Sequence, residues 1–488
     1  MAVLIVTDQT DRWPNEDPAV NVVDPKAYIT QAQYSDMRGV RVFNLCQSYR
    51  YQSVGYYVSL LAEARGHRPM PSVGAMQDWK TRSIIRLITE DLDDLIQKCL
   101  APIKSKKFTL SIYFGKNMAK RYDTLAWRLF NLFQAPLLRA KFMLEKDRWQ
   151  LTSVGGVSAA DVPEAHWPFI VDTALEHFAR RRSVTKVKKT RFDMAILFDP
   201  GDPEPPSDEQ ALQKFAKAAA QQGVSTEYIS REDYGRLAEF DALFIRDTTA
   251  VNHYTYRFAR RAAAEGLVVV DDPKSILLCT NKVYLAELLA RHKIPVPRTV
   301  VVHRDNADQL ADELGFPCVL KRPDSAFSRG VVKVGTPEEL QTKLQEFIAD
   351  SELIIAQEFL PTTFDWRIGI FDRQPIYACK YYMAKGHWQI IRHDSQPNKG
   401  RYGKLETLPV ELAPRKAVQV ALKAANLIGD GLYGVDVKES DGKFYVIEVN
   451  DNPNINSGCE DAVLKEELYR RLVSIFVKRI EQMKAGVE

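Results

Sequence analysis

Apolar residues along this chain change period several times, and the changes divide it into three blocks. The first block, to about Arg182, opens on short apolar runs at Ala2 to Val6 and Val40 to Leu45, both of strand length. From Ser53 onward, Val54, Tyr57, Val58, Leu61 and Ala62 recur at helical spacing until Gly66 stops them. A helix over Asp78 to Cys99, a strand over Phe108 to Phe114 and a helix over Tyr122 to Phe133 are predicted next. The aromatics Trp127, Phe130 and Phe133 fall on helical spacing, so they read as core rather than as a base-stacking platform. The second block starts at the buried strand Phe192 to Asp199. It continues with a helix around Glu209 to Gln222, strands Thr226 to Ile229 and Ala242 to Ile245, a helix Tyr254 to Glu265 and a strand Leu267 to Val270. That alternation predicts a small parallel sheet with crossover helices. The third block, from about Pro273, opens with a helix over Lys282 to His292. It closes with one over Glu466 to Met483, where Leu468, Leu472, Ile475, Phe476 and Ile480 form one stripe. The residues show no internal repeat. The expected architecture is multidomain, α/β and α+β: an α/β extension over 1–182, a basic linker over 183–191, a small parallel-sheet α/β domain over 192–275 and a mixed domain over 276–488.

Composition narrows the class without naming a chemistry. At 488 residues, with 45% hydrophobic and 27% charged, the chain has room for several cores. A net charge of +4 demands neither nucleic acid nor membrane as a partner. The basic run Arg180 to Arg191 contains no interleaved aromatic, so it reads as a linker; an adaptor that binds RNA or a ribosomal partner is the minor alternative. Six scattered cysteines without a CxxC pair suit buried thiols in a reducing cytosol. The first apolar run is too short for a signal peptide and no run reaches membrane-span length, so a cytoplasmic location is expected.

The chemistry-bearing residues gather in the third block. Tyr433 to Val437 and Phe444 to Val449 are β-branched and aromatic, and Asp441-Gly442 between them is a hairpin signal. Glu448 and Asn450, two apart, share a strand face. A three-residue loop over Asp441 to Lys443 would set Asp436 directly opposite Glu448, whereas an even loop without a bulge would not. Two carboxylates and an amide oxygen suit magnesium, which completes its shell with substrate phosphates. Lys282 stands at a helix start, and Lys321 ends the buried strand Cys318 to Lys321. A lysine there needs an anion or water nearby. A small-residue loop holding Ser325 follows, then Leu353 to Pro361, whose strand end at Gln357, Glu358, Phe359 and Leu360 can offer backbone groups to an adenine edge. Alternation puts Asp365 and Arg367 on one face, opposite Trp366 and Ile368, and Arg367 could neutralise a transferring phosphoryl group. Lys380 on the neighbouring strand is expected to reinforce that positive site, and Arg246, ending a strand, is a candidate to bind the acceptor.

The order of these parts resembles the ATP-grasp superfamily and, in detail, the RimK-like amino-acid ligases. The resemblance covers roughly residues 192 to 480, and the long first block looks like the amino-terminal extension of a longer RimK-like subgroup. It implies two α+β lobes clamping ATP, with Lys282 and Lys321 on the phosphates, Ser325, Gln357 and Asp365 in the nucleotide site, and the Glu358 to Leu360 backbone on adenine. Asp436, Glu448 and Asn450 would hold magnesium, expected as two ions with manganese as a substitute. The implied reaction joins an amine to a carboxylate through an acyl phosphate, releasing ADP and phosphate, with Arg367 and Lys380 as catalytic groups. Glutamate is the amino acid suggested, a carboxylate or peptide terminus the acceptor, and Arg246, Arg392, Asn454 and Ser457 the substrate contacts. A homo-oligomer is also expected. Two departures stand out: Asp324 to Arg329 is poorer in glycine than the usual loop, and His387 to Tyr402 follows the family's substrate segment only loosely. The competing readings are an ATP-grasp phosphotransferase acting on a hydroxyl and a nucleotide-sensing module without catalysis.

Overall fold

The computed structural model describes residues 2–13, 20–37, 40–79, 85, 92–180, 190–304, 306, 309–324, 330–391 and 403–485. These form two compact units, 1–188 with 232–239 and 189–231 with 240–488. Residues 181–189 of the basic run expected to be a linker lie outside the described residues.

The first unit holds a parallel sheet in the order Val20–Val23, Ala2–Val6, Val40–Asn44, Arg68–Met70 and an antiparallel sheet of Lys107–Tyr113, Leu137–Glu145 and Arg148–Gly156. The last two strands were not anticipated. Their turn, Lys146-Asp147, runs at φ 49° and 60° without a glycine to mark it. Helix Asp123–Phe133 buries Leu125, Leu129, Phe130 and Phe133, so its aromatics are core. The helix expected over Asp78 to Cys99 is not continuous. Val73–Asp78 ends at Trp79, Asp93–Leu100 is a separate helix, and much of the sequence between lies outside the described residues.

The second unit begins with another parallel sheet, in the order Val268–Val270, Ala242–Ile245, Phe192–Leu197, Val224–Ile229. In both parallel sheets the first strand lies between the second and third, and the fourth lies beyond the third. The match continues residue by residue. Ser53 and His253 precede helices Val54–Ala64 and Tyr254–Ala264, of 11 residues each; Gly66 and Gly266 follow at φ 68° and 72°; Ser72 and Asp272 cap the next helix with their side chains. The chain therefore does contain a structural repeat. It escapes the sequence because buried positions match in apolarity rather than identity, as with Val58 and Phe258.

Two antiparallel sheets complete this unit. One runs Thr299–Val302, Ile354–Glu358, Cys318–Lys321, Val331–Val334, and the other Leu405–Leu408, Gln374–Tyr382, Phe364–Phe371, Tyr433–Ser440, Lys443–Asp451. Helix Arg415–Ile428 packs Ala417, Ala421, Ala424 and Ala425 into a core with Trp366, Ile368, Val435, Val437, Val446 and Val449 from one face of the five-stranded sheet. The small alanine stripe lets the helix lie close. Helix Glu466–Ala485 buries Leu468, Leu472, Phe476 and Ile480, with the Phe476 ring 5.2 Å from that of Phe244 on the parallel sheet. All six cysteines are free. Among the described residues no helix is long and apolar enough to cross a membrane.

Candidate active site

The hairpin Tyr433–Asp451 sets the site. Its loop is two residues, not three: Ser440 pairs with Lys443, and Asp441 and Gly442 turn the chain at φ 49° and 70°, as a tight hairpin of this twist requires. An even loop would misplace Glu448, but the register slips between Val437–Val446 and Asp436–Glu448, leaving Ile447 as an extra, bulged residue. A regular strand would put Val446 and Glu448 on one face. The bulge sends Val446 and Val449 into the apolar core and turns Glu448 to the other face, opposite Asp436. The signal for it was an apolar pair spaced by three within a strand.

Around that face the charges interlock. Arg367 donates to both oxygens of Asp436, Nε to Oδ1 and Nη2 to Oδ2, each at 2.7 Å. Asn450 gives its Nδ2 hydrogens to Gly434 O at 3.2 Å and Asp436 Oδ2 at 3.3 Å, which leaves its own oxygen as an acceptor. Lys282, 9% exposed, places Nζ 2.9 Å from Glu448 Oε1. Its backbone N–H donates to Pro323 O at 3.0 Å, and Asn281 Nδ2 donates to Asp324 Oδ1 at 3.0 Å, so this helix start is tied to the loop after Lys321. Lys321 donates to Gln357 Oε1 at 2.7 Å, and Gln357 in turn donates to Thr299 Oγ1 at 2.9 Å. Burial pushes the Lys321 ammonium down to about 8, against the pull of Glu448. For Glu448, burial works upward, but Lys282 and Lys321 outweigh it and hold the carboxyl below its ordinary value. Asp436 is raised by burial despite Arg367.

Several predicted residues take other places. Asp365 shares the Arg367 face but pairs with Lys438, Nζ to Oδ1 at 2.6 Å, and accepts from Thr362 Oγ1 at 3.0 Å. Lys438, two residues after Asp436, was not anticipated, although strand parity places it on this face. Lys380 does not reinforce the Arg367 site. It stands opposite Trp366 and Glu406 in register, on the reverse face, with Nζ 5.2 Å from the rings of both Phe364 and Trp366. Neither is Arg246 open to an acceptor. It is fully buried and donates to Ser207 Oγ, Asn452 Oδ1, Pro206 O and Pro453 O, bracing the parallel sheet against the turn after the hairpin. Desolvation lowers its guanidinium to about 10. Glu358 still gives its N–H to Arg298 O at 2.8 Å, and its carboxylate meets Arg298 Nε at 3.2 Å, so the chain leaves the sheet only at Phe359 and Leu360. The Phe359 ring lies 5.8 Å from Trp388 and beneath Lys333 Nζ at 4.6 Å. Asn454 O accepts from Tyr377 OH at 3.3 Å, and Ser457 Oγ accepts from Lys214 Nζ at 2.7 Å. Ser325 and Arg392 lie outside the described residues.

The donor set fits magnesium held together with phosphate. Asp436, Glu448 and the Asn450 oxygen are one amide and two carboxylate donors on a single face, and no group of three His, Cys, Asp or Glu that could hold a metal occurs among the described residues. Phosphate oxygens and water would supply the remaining ligands.

Comparison with known proteins identifies the domains of the chain. Residues 25–173 match the RimK-like ATPgrasp N-terminal domain and residues 279–465 the RimK-like ATP-grasp domain. The alpha-aminoadipate–LysW ligase LysX of Saccharolobus solfataricus is 28% identical over 196 residues, 38% of this chain and 67% of that protein. A probable alpha-L-glutamate ligase of Thioalkalivibrio sulfidiphilus is 29% identical over 230 residues, 46% of this chain and 73% of that protein. Among solved structures, a D-alanine–D-alanine ligase from Bacillus anthracis aligns over 61% of this chain and 100% of its own at 17% identity and TM-score 0.48. That likeness is distant. With both domain models matched in order along one chain, the protein belongs to the RimK-like ATP-grasp ligases, a family that binds ATP with magnesium and forms carbon–nitrogen bonds.

Proposed function

We propose that the protein joins an amino acid to a carboxylate, on a small molecule or a peptide terminus, through an acyl phosphate formed from ATP. The observation that carries this is the single sheet face on which Asp436, Glu448 and Asn450 meet Arg367 and Lys282, with Lys321 and its partner Gln357 on the facing sheet. Lys282 and Lys321 bind the phosphates, and the chain leaving the sheet at Phe359 and Leu360 lies along adenine. Magnesium, when bound by Asp436, Glu448 and Asn450, neutralises the phosphate oxygens. Arg367 holds Asp436 in place with one edge of its guanidinium and keeps Nη1 for the group that accumulates charge during transfer. The acid becomes reactive because phosphate is a far better leaving group than oxide, and the amine then attacks the acyl carbon. Asn454 and Ser457, in the segment after the hairpin, contact the substrate. Glutamate, which appears in the names of similar proteins, is the first amino acid to test.

The test is mass spectrometry after incubation with ATP, magnesium and pooled amino acids, with and without candidate acceptors. The expected result is an acceptor heavier by one amino-acid residue, with ADP released only when acid and amine are both present. A phosphorylated hydroxyl product, or turnover that survives both Asp436→Ala and Glu448→Ala, would overturn the reading. Light scattering on the same sample reads the expected homo-oligomer.

A further inference from the structure

Arg367 meets more than Asp436. Its guanidinium carbon lies 4.8 Å over the ring of Tyr381, which stands opposite Asp365 on the adjacent strand and so projects from the same sheet face. The stem passes Gly434, where a Cβ would come within 3.4 Å of the arginine Cδ and 2.8 Å of Pro453. One edge of the guanidinium is therefore taken by Asp436, one flat face by Tyr381, and the stem runs where no side chain fits. Tyr381 is itself fixed: its hydroxyl donates to Glu460 Oε1. Glu460, 2% exposed, takes a second bond at Oε2 from the Asn456 N–H at 2.8 Å. Glu460 and Asn456 belong to the segment that carries Asn454 and Ser457, and Tyr377 OH fastens Asn454 O to the sheet from two residues before the Arg367-facing Cys379.

We propose that Tyr381 and Glu460 are positioning residues that hold the Arg367 guanidinium in place, and that they tie its placement to the Asn454–Glu460 segment. The physical need is clear. An arginine offers its donors in one plane, so a tilt moves every donor at once, and a carboxylate on one edge leaves rotation about that edge free. An aromatic ring on the face removes that rotation, with the added attraction of a cation for a π surface. The ring in turn must be kept from swinging, which the buried Glu460 does through the phenol. Movement of the Asn454–Glu460 segment on substrate binding would thus reach Arg367 through two side chains. This rests on reading Arg367 as the arginine of the phosphate side.

The test reads Arg367 directly. In the full-length chain labelled with 15N, the Nε–H of Arg367, assigned by its loss in Arg367→Lys, is bonded to Asp436 and is expected to exchange slowly with solvent. Tyr381→Leu removes the ring and is expected to speed that exchange about tenfold. Tyr381→Phe and Glu460→Ala each break the tether and speed it about threefold, with the double variant no faster than either single one. Glu460→Gln keeps an acceptor and restores the wild-type rate. Circular dichroism identifies any variant that has not folded, and Tyr381→Phe and Glu460→Gln carry the test should Tyr381→Leu fail to fold. Unchanged exchange in Tyr381→Leu, or additive effects of Tyr381→Phe and Glu460→Ala, overturns the proposal. ATP turnover measured on the same samples separates the two ideas. A wild-type chain that holds the Arg367 signal as described but makes no ADP with any acid and amine overturns the ligase reading and leaves the positioning intact.

Discussion

Replacing Asp436 by asparagine should expose how the site stores its charges. The Arg367 and Asp436 side chains are only 14% and 11% exposed and make two 2.7 Å bonds. Removing the carboxylate leaves a guanidinium in poor solvent with, at best, one neutral acceptor. Breaking one side of a buried pair costs about 3–5 kcal/mol, and the surviving amide oxygen puts this case near the lower end, about 3 kcal/mol. Because the chain has several cores, a whole-molecule melting curve mixes transitions, so the suitable assay is hydrogen exchange at the amides of Phe364–Phe371 and Tyr433–Ser440. A loss of about 3 kcal/mol lowers their protection roughly 150-fold. The double variant Asp436→Asn/Arg367→Gln leaves no unpaired charge and should recover more than half of that loss. Adding ATP with magnesium should raise protection of the hairpin in the wild type and in neither variant. The reasoning fails if the double variant is no more protected than Asp436→Asn alone, or if magnesium-ATP still protects the hairpin in Asp436→Asn.

Further expectations follow from particular side chains. Lys321, lowered to about 8, is charged below that pH and loses its charge above it, so apparent ATP affinity should fall as pH rises through 8 to 9. Lys321→Arg, which cannot deprotonate, should flatten that profile, as nucleotide titrations at several pH values would show. Lys380→Met should leave the KM for ATP and kcat within about twofold, since its ammonium lies on the reverse face of the sheet, whereas Arg367→Met should abolish turnover; a large kcat loss in Lys380→Met would contradict the register. Arg246→Met should lower hydrogen-exchange protection at the amides of Ala242–Ile245 by about 3 kcal/mol, because it leaves Asn452 Oδ1 and the buried Pro453 carbonyl without a donor. The folded fraction should keep its KM for the amino acid.

Much of the chain could be read from residue order, because local chemistry is written locally. The buried strand at Phe192, the stripe of the last helix and the Asp441-Gly442 turn each follow from neighbours a few positions apart. The residue types suited to magnesium and phosphate at Asp436, Glu448, Asn450, Lys282 and Lys321 could be read from the sequence, whereas strand alternation with a two-residue loop would by itself have kept Glu448 from facing Asp436. The repeated parallel sheet was not, since a fold can be kept by matching apolar volume alone, as Val58 and Phe258 do.

What sequence could not decide was everything that depends on which strand lies beside which, and in what register. Lys380 looked like part of the positive site because it sits on the next strand. Only the pairing of Trp366 with Lys380 shows that parity turns it away. Arg246 was ambiguous, and Tyr381 gave no signal, for the same reason, since their partners Asn452 and Glu460 lie 206 and 79 residues away along the chain. The hairpin shows both halves of the matter. Its residues determined that two carboxylates and an amide would meet; the Ile447 bulge, a response to the packing of Val446 and Val449 against helix Arg415–Ile428, decided that they would meet on one face.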